Sequence, residues 1–229
     1  MQNKLIKAVI FDQDGLMFDS ERLVAEGWAE IGKRRGYDIN EEFLKTVRGR
    51  STAEIKAAFQ EKFGEDVPFD EMNAEKRVRT YDYIRKYGIP VKKGLKELLA
   101  YLYAHNIPAA VATSSSREWT EGNLSSTGIA GYFRLSVYGE MVSRGKPAPD
   151  IFLLAAEKLG EKPENCLVLE DSLQGNEAAI NGGFVGIMVP DLTPPTEYLK
   201  QNLFAVCSSL SDVITLFETG RLYCENTAR

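Results

Sequence analysis

The chain has 229 residues, 44% of them hydrophobic, enough for one large domain or for a core that carries an insert. Its 28 Lys and Arg against 33 Asp and Glu leave a net charge of −5. With no long basic block, neither nucleic acid nor an anionic membrane surface is expected as a partner, and a phosphate ligand would need local positive groups. The amino terminus, MQNKLIKAVIF, has only a short apolar run that leads into charge, so neither a signal peptide nor a spanning helix is expected. Cys166, Cys207 and Cys224 are odd in number and lack metal-ligand spacing, which suits a reducing, cytoplasmic compartment.

Taken in chain order, the first strong signal is AVIFDQDG, residues 8–15. Four apolar residues without polar alternation fit a strand buried on both faces of a parallel sheet, with Asp12 and Asp14 emerging at its carboxy-terminal end. In open α/β sheets that edge is where ligands bind. Two carboxylates so close repel unless a cation or a shared proton intervenes; the alternative is a polar strand-to-helix turn.

A helix follows over about Glu21 to Arg35, with Ser20 as its cap, Leu23, Val24, Trp28 and Ile31 on one face, and Gly36 placed to end it. Three more helical patterns come next: EEFLKTV, Ser51 to Phe63, and about Phe69 to Tyr87. Ser51 and Glu54 have capping-box spacing. Residues 20–88 therefore read as an all-helical insert, with crossing points near 16–20 and 88–92. From Val91 strands and helices alternate: a helix through Leu95, Leu98, Leu99 and Leu102, which His105 ends; the strand of IPAAVATSSS; a helix over Arg117 to Thr127; the strand LSVYG; a helix from about Pro149 to Lys158; the strand CLVLED; a short helix through Ala178 and Ala179; and FVGIMV. FAVCSSL and SDVITLFETG close the chain as a last strand and helix. The alternation predicts an α/β fold with a doubly wound parallel sheet and right-handed crossovers.

Four polar clusters follow predicted strands or open helices at one sheet edge: Asp12/Asp14, Thr113/Ser114, Lys146 and Glu170/Asp171. Together they have the parts of phosphoryl transfer, which needs positioning, neutralisation of the equatorial oxygens and an in-line nucleophile. Asp12 and Asp171, at neighbouring strand ends, suit Mg²⁺, which takes few carboxylates and keeps its waters. Ser114 and the amides opening the next helix suit phosphate oxygens, and Lys146 supplies charge beside them. Asp14, two residues past Asp12, is placed to act as general acid and then as base toward water.

These motifs resemble the haloacid dehalogenase superfamily, in its branch with a helical cap inserted after the first motif, which includes β-phosphoglucomutases and sugar-phosphate phosphatases. The resemblance covers nearly the whole chain. It implies a Rossmannoid core of residues 1–17 and 91–229, a helical cap of residues 18–90, and Mg²⁺ as cofactor. FDQDG then carries the nucleophile, Asp12, and the acid/base, Asp14, whose backbone carbonyl also ligates the metal; ATSSS carries the phosphate-binding Ser114, with Ser115 beside it as a further substrate contact. GKPAPDIF carries Lys146, and VLEDSLQG carries Glu170 and Asp171 of the metal-binding motif. Phosphoglucomutases of this type typically have a histidine where Val24 stands and an arginine where Thr52 stands. Arg48 and Arg50, flanking Gly49, are expected with Glu21 to read the substrate instead. Gln13, usually apolar in relatives, is expected to point away from the ligand side.

The reading that follows is a Mg²⁺-dependent phosphatase acting as a monomer on a small phosphorylated metabolite, a sugar or polyol phosphate, through a phospho-aspartyl intermediate. The alternatives are a β-phosphoglucomutase-type phosphomutase, a carbon-halogen hydrolase, which would not need Asp14, and a non-catalytic binding module.

Overall fold

In the computed structural model, residues 3–48 and 52–224 are described. In chain order the strands and helices are β1 (Lys4–Leu5), β2 (Ala8–Phe11), α1 (Ser20–Arg35), α2 (Glu41–Val47), α3 (Thr52–Phe63), α4 (Phe69–Tyr87), α5 (Leu95–Ala104), β3 (Ala109–Thr113), α6 (Arg117–Ser126), β4 (Phe133–Tyr138), α7 (Asp150–Leu159), β5 (Cys166–Glu170), α8 (Leu173–Asn181), β6 (Val185–Met188), α9 (Glu197–Asn202), β7 (Ala205–Val206), α10 (Leu210–Glu218) and β8 (Leu222–Tyr223). The chain divides into two compact units, one of residues 1–19 and 90–229 and one of residues 20–89.

The first unit is built on a six-stranded parallel sheet of order β4-β3-β2-β5-β6-β7. This is the expected α/β, doubly wound arrangement. β2 lies at its centre because all four of its residues are apolar and fully buried, which only a strand covered on both faces permits. Ala8 and Ile10 pack with Phe152, Ala155 and Ala156 of α7 and Ala178 and Ala179 of α8; the small residues let helix and sheet approach closely. Val9 and Phe11 are equally buried, and Phe11 meets Phe133 edge-on at 5.7 Å between ring centroids. Successive strands are laid first to one side of β2 (β3, β4) and then to the other (β5, β6, β7), so the switch point lies beside β2, outside the carboxy-terminal ends of β2 and β5.

Two features have no counterpart in the sequence reading. β1 and β8 pair in parallel through Lys4 with Leu222 and Leu5 with Tyr223, joining the two ends of the described chain, and α9 is capped by the Thr196 side chain. Neither has enough residues to set up a period. His105 ends α5 as expected, its Nδ1 lying 2.8 Å from the Tyr101 carbonyl oxygen. Burial pushes the Cys166 thiol up to about 12 and the Cys207 thiol up to about 11, as befits small core residues rather than nucleophiles.

The second unit is all-helical in its described residues. Trp28 and Ile31 of α1 pack with Phe43, Leu44 and Val47 of α2, Phe59 of α3 and Phe69 and Met72 of α4. Trp28, Phe59 and Phe69 form an aromatic cluster, the Trp28 and Phe59 centroids lying 4.7 Å apart. Asn40 caps α2, its Oδ1 accepting from the Phe43 amide at 3.0 Å. Ser20 is the first residue of α1 and is buried there, rather than standing outside the helix as its cap. Arg34 and Arg35 both pair with Glu75, tying the end of α1 to α4. Gly49, Arg50 and Ser51 lie outside the described residues, and with them the expected Ser51/Glu54 capping box.

Candidate active site

Each polar cluster singled out in the sequence, apart from the residues of the helical unit, sits at the carboxy-terminal edge of the six-stranded sheet. Asp12 follows β2, Ser114 and Ser115 follow β3, Lys146 lies between β4 and α7, Glu170 ends β5 and Asp171 follows it. Parallel strands put all their carboxy-terminal ends on one edge, so residues more than a hundred positions apart converge.

At the centre is a buried charge cluster. The Lys146 ammonium donates to Asp12 Oδ1 at 2.5 Å and to Glu170 Oε1 at 2.7 Å, and the side chain is only 9% exposed. Glu170 Oε2 accepts from the Ser172 amide at 2.6 Å and from its hydroxyl at 2.9 Å, so both of its oxygens are engaged. Carboxylate oxygens of Asp12, Glu170 and Asp171 all lie within 4.8 Å of one another. Burial raises the Asp12 carboxyl to about 7; Lys146 opposes the rise, while Glu170 and Asp14 add to it. Burial would lower the Lys146 ammonium, but the Asp12 and Glu170 carboxylates outweigh it and hold the group above its ordinary value. Three carboxylates gathered around one lysine are a group that could hold a divalent cation.

The backbone is shaped to leave room for these groups. Gly15 has φ +86°, and a Cβ there would stand 2.2 Å from Asp171 Oδ2; one at Gly175 would stand 1.7 Å from Glu170 Oε1. Gly15→Ala is therefore expected to weaken divalent-cation binding at least tenfold and to cost about 1–3 kcal/mol of stability, since it combines left-handed backbone strain with a collision. Isothermal titration with Mg²⁺ and thermal melting measure both.

Asp14 stands half-buried in the turn after β2. The Ser115 hydroxyl donates to its Oδ2 at 2.7 Å and Trp119 Nε1 to its Oδ1 at 3.2 Å. Gln13 was expected to face away. It is fully buried, and its Nε2 donates to Asp14 Oδ2 at 3.2 Å. Ser114 is exposed at the end of β3, and the loop after β4 approaches it so closely that a Cβ at Gly139 would stand 2.5 Å from its carbonyl oxygen.

Glu21 and Arg48 belong to the helical unit. Arg48 caps the carboxy terminus of α2, and its Nη2 pairs with both oxygens of Glu41 at 2.7 and 2.8 Å, while Nη1 is buried without a hydrogen-bond partner among the described residues. Arg50 is outside the described residues. Sequence reasoning missed Trp119 and Ser172. Ser172 had a signal, since a serine between a strand-ending acid pair and a helix is an N-cap candidate; Trp119 had none. An open groove of about 840 Å³, lined by Leu99, Tyr103, Tyr132 and Arg134 among others, lies at the amino-terminal ends of β3 and β4 and contains none of these groups.

The profile of the haloacid dehalogenase-like hydrolases matches residues 9–189. A probable pseudouridine-5'-phosphatase of Drosophila melanogaster is 34% identical over 200 residues, spanning 83% of this chain and 86% of its own. A phosphorylated carbohydrates phosphatase of Thermotoga maritima is 29% identical, over 94% of this chain and 92% of its own. Among solved structures, CbbY from Rhodobacter sphaeroides in complex with phosphate superposes with a TM-score of 0.76 at 26% identity, covering 91% of this chain and 96% of that one. Motifs, sheet order and relatives agree: the chain belongs to the haloacid dehalogenase-like hydrolases.

Proposed function

We propose that this hydrolase of phosphoric monoesters is a Mg²⁺-dependent phosphatase for a small sugar or polyol phosphate, working through a phospho-aspartyl intermediate on Asp12. The observation that carries the reading is the Lys146 ammonium shared between Asp12 and Glu170 beside a three-carboxylate cluster at the switch-point edge. The names of the relatives, which include a pseudouridine-5'-phosphatase and a phosphorylated carbohydrates phosphatase, support the substrate class.

Asp12 and Asp171 would hold the metal, together with the Asp14 backbone carbonyl; Glu170, with one oxygen on Lys146 and the other on Ser172, serves chiefly to hold that lysine. When bound, the metal neutralises charge between an anionic nucleophile and an anionic phosphate. In the first step an Asp12 carboxylate oxygen bonds to phosphorus, the bond from phosphorus to the leaving oxygen breaks, and Asp14 delivers its proton to that oxygen. In the second, Asp14 takes a proton from water, the water oxygen bonds to phosphorus, and the bond to Asp12 breaks, releasing phosphate. Ser114 and the amides opening α6 bind the phosphate oxygens, and Lys146 offsets their charge. The helical unit, residues 18–90 in this reading, acts as a cap that excludes bulk water and reads the leaving group, with Glu21, Arg48 and Arg50 as candidate contacts. Val24, where phosphoglucomutases typically have a histidine, packs against the aromatic core of the helical unit, which favours hydrolysis over mutase chemistry.

The test is phosphate release from a panel of sugar, polyol and nucleotide monophosphates with Mg²⁺ and with chelator. Release from sugar or polyol esters that chelator abolishes is the expected result; no release from any ester would sink the reading. The same protein allows a pH test. Asp12 is raised to about 7 and must be deprotonated to ligate a cation, so apparent Mg²⁺ affinity should fall about tenfold per unit below pH 7 and level off above it. A flat affinity from pH 5 to 8 would remove Asp12 from the ligand set.

A further inference from the structure

Both oxygens of Asp14 are held by side-chain donors. Oδ2 accepts from the Ser115 hydroxyl and Gln13 Nε2, and Oδ1 accepts from Trp119 Nε1. The terminal torsion of an aspartate is soft, so a carboxylate with donors on one oxygen only would still swing. The indole supplies the donor on the other side. Its helix, α6, is anchored at its first turn: Ser116 Oγ accepts from the Trp119 amide at 3.4 Å, and Glu140 Oε1 accepts from the Arg117 amide at 3.2 Å. Trp119 is thus carried on a fixed element that starts directly after Ser114 and Ser115. The ring is half-buried, and its N–H is aimed at Asp14.

We infer that Trp119 is a positioning residue for the acid/base step: its indole N–H fixes the plane of the Asp14 carboxylate so that the proton is delivered along the line of the departing oxygen. The inference rests on the phosphatase reading above. It predicts a defect that depends on the leaving group. A primary-alcohol phosphate expels an alkoxide that needs the proton, whereas 4-nitrophenyl phosphate expels a stable phenolate that does not. Trp119→Phe keeps an aromatic ring and deletes the donor.

The experiment compares kcat/KM, which reports formation of the phosphoenzyme, for 4-nitrophenyl phosphate and for the primary-alcohol phosphate that the parent hydrolyses fastest. Positioned general acids contribute about 10²–10⁴-fold, and one of several donors is removed, so the alcohol-to-aryl ratio of kcat/KM should fall about tenfold in Trp119→Phe while the aryl value stays within about threefold of the parent. In an Asp14→Asn background, adding Trp119→Phe should leave the ratio unchanged, because the group it acts through is gone. Equal losses on both esters, which is what a merely structural role gives, would overturn the inference; so would an unchanged ratio, or a further fall in the Asp14→Asn background. If the parent hydrolyses neither ester, the phosphatase reading itself fails, a result distinct from an active parent with an indifferent Trp119→Phe.

Discussion

Replacing Asp12 with Asn should abolish turnover, with kcat falling on the order of 10⁴-fold or more, because an amide oxygen neither attacks phosphorus effectively nor ligates the cation as a carboxylate does. Activity within tenfold of the parent would mean that the nucleophile is misassigned. The same substitution should act in the opposite sense on the metal-free fold. The Asp12 carboxyl is raised to about 7 mainly by burial, so the folded protein holds this proton more tightly than the unfolded chain does. For a group raised in this way, its stabilising contribution is full below the unfolded value near 4 and is lost as pH rises through about 7. Asn mimics the neutral acid at every pH. Metal-free Asp12→Asn should therefore melt above the parent at pH 8 and close to it at pH 5. Saturating Mg²⁺ should raise the parent's Tm at pH 8 and leave that of the variant nearly unmoved.

Lys146→Met should be the most destabilising single change at the site. It keeps most of the stem, which runs past the Phe152 ring with the ammonium 4.8 Å from the ring centroid, but leaves Asp12 and Glu170 facing each other without their cation. Removing one partner of a buried ionic cluster costs about 3–5 kcal/mol, far more than a surface pair, because the remaining charge stays desolvated. Chemical denaturation of the metal-free protein at pH 8 measures this. At pH 5 the cost should shrink, since Asp12 can then take up a proton instead of standing charged. Turnover should fall about 10²–10³-fold even at saturating Mg²⁺, because the lysine also offsets phosphate charge. Lys146→Arg should not restore activity: the Lys146 side chain is only 9% exposed, and a planar guanidinium is larger than an ammonium and cannot place one point charge between Asp12 and Glu170. Stability within about 1 kcal/mol of the parent for Lys146→Met would show that the lysine does not balance the charge of Asp12 and Glu170.

Much of this was legible because parallel α/β folds write their sites in a fixed grammar. AVIF and CLVLE have the unbroken apolar character of strands covered on both faces, and the polar residues immediately after them had to land at the same sheet edge. The helices before Val91 were legible from their period, and their all-helical unit from the absence of any strand signal between them. Less legible were elements too short for a period, such as β1, β8 and α9, and contacts set by packing alone. Lys146 was read as a charge beside phosphate oxygens; that it also bridges Asp12 and Glu170 follows from how the loop after β4 folds back over β2 and β5.

The sequence by itself determined that Asp12, Asp14, Ser114, Lys146, Glu170 and Asp171 would share one edge of a parallel sheet, since strand direction and burial are written in local composition. Only the tertiary structure decided how their charges are apportioned. The lysine is divided between two carboxylates, Gly15 and Gly175 give up their side chains to Asp171 and Glu170, and an indole from α6 meets Asp14. The physical reason is range. Burial period and strand ends are encoded within a few residues, whereas desolvation and hydrogen-bond partnership depend on atoms that arrive from a hundred residues away.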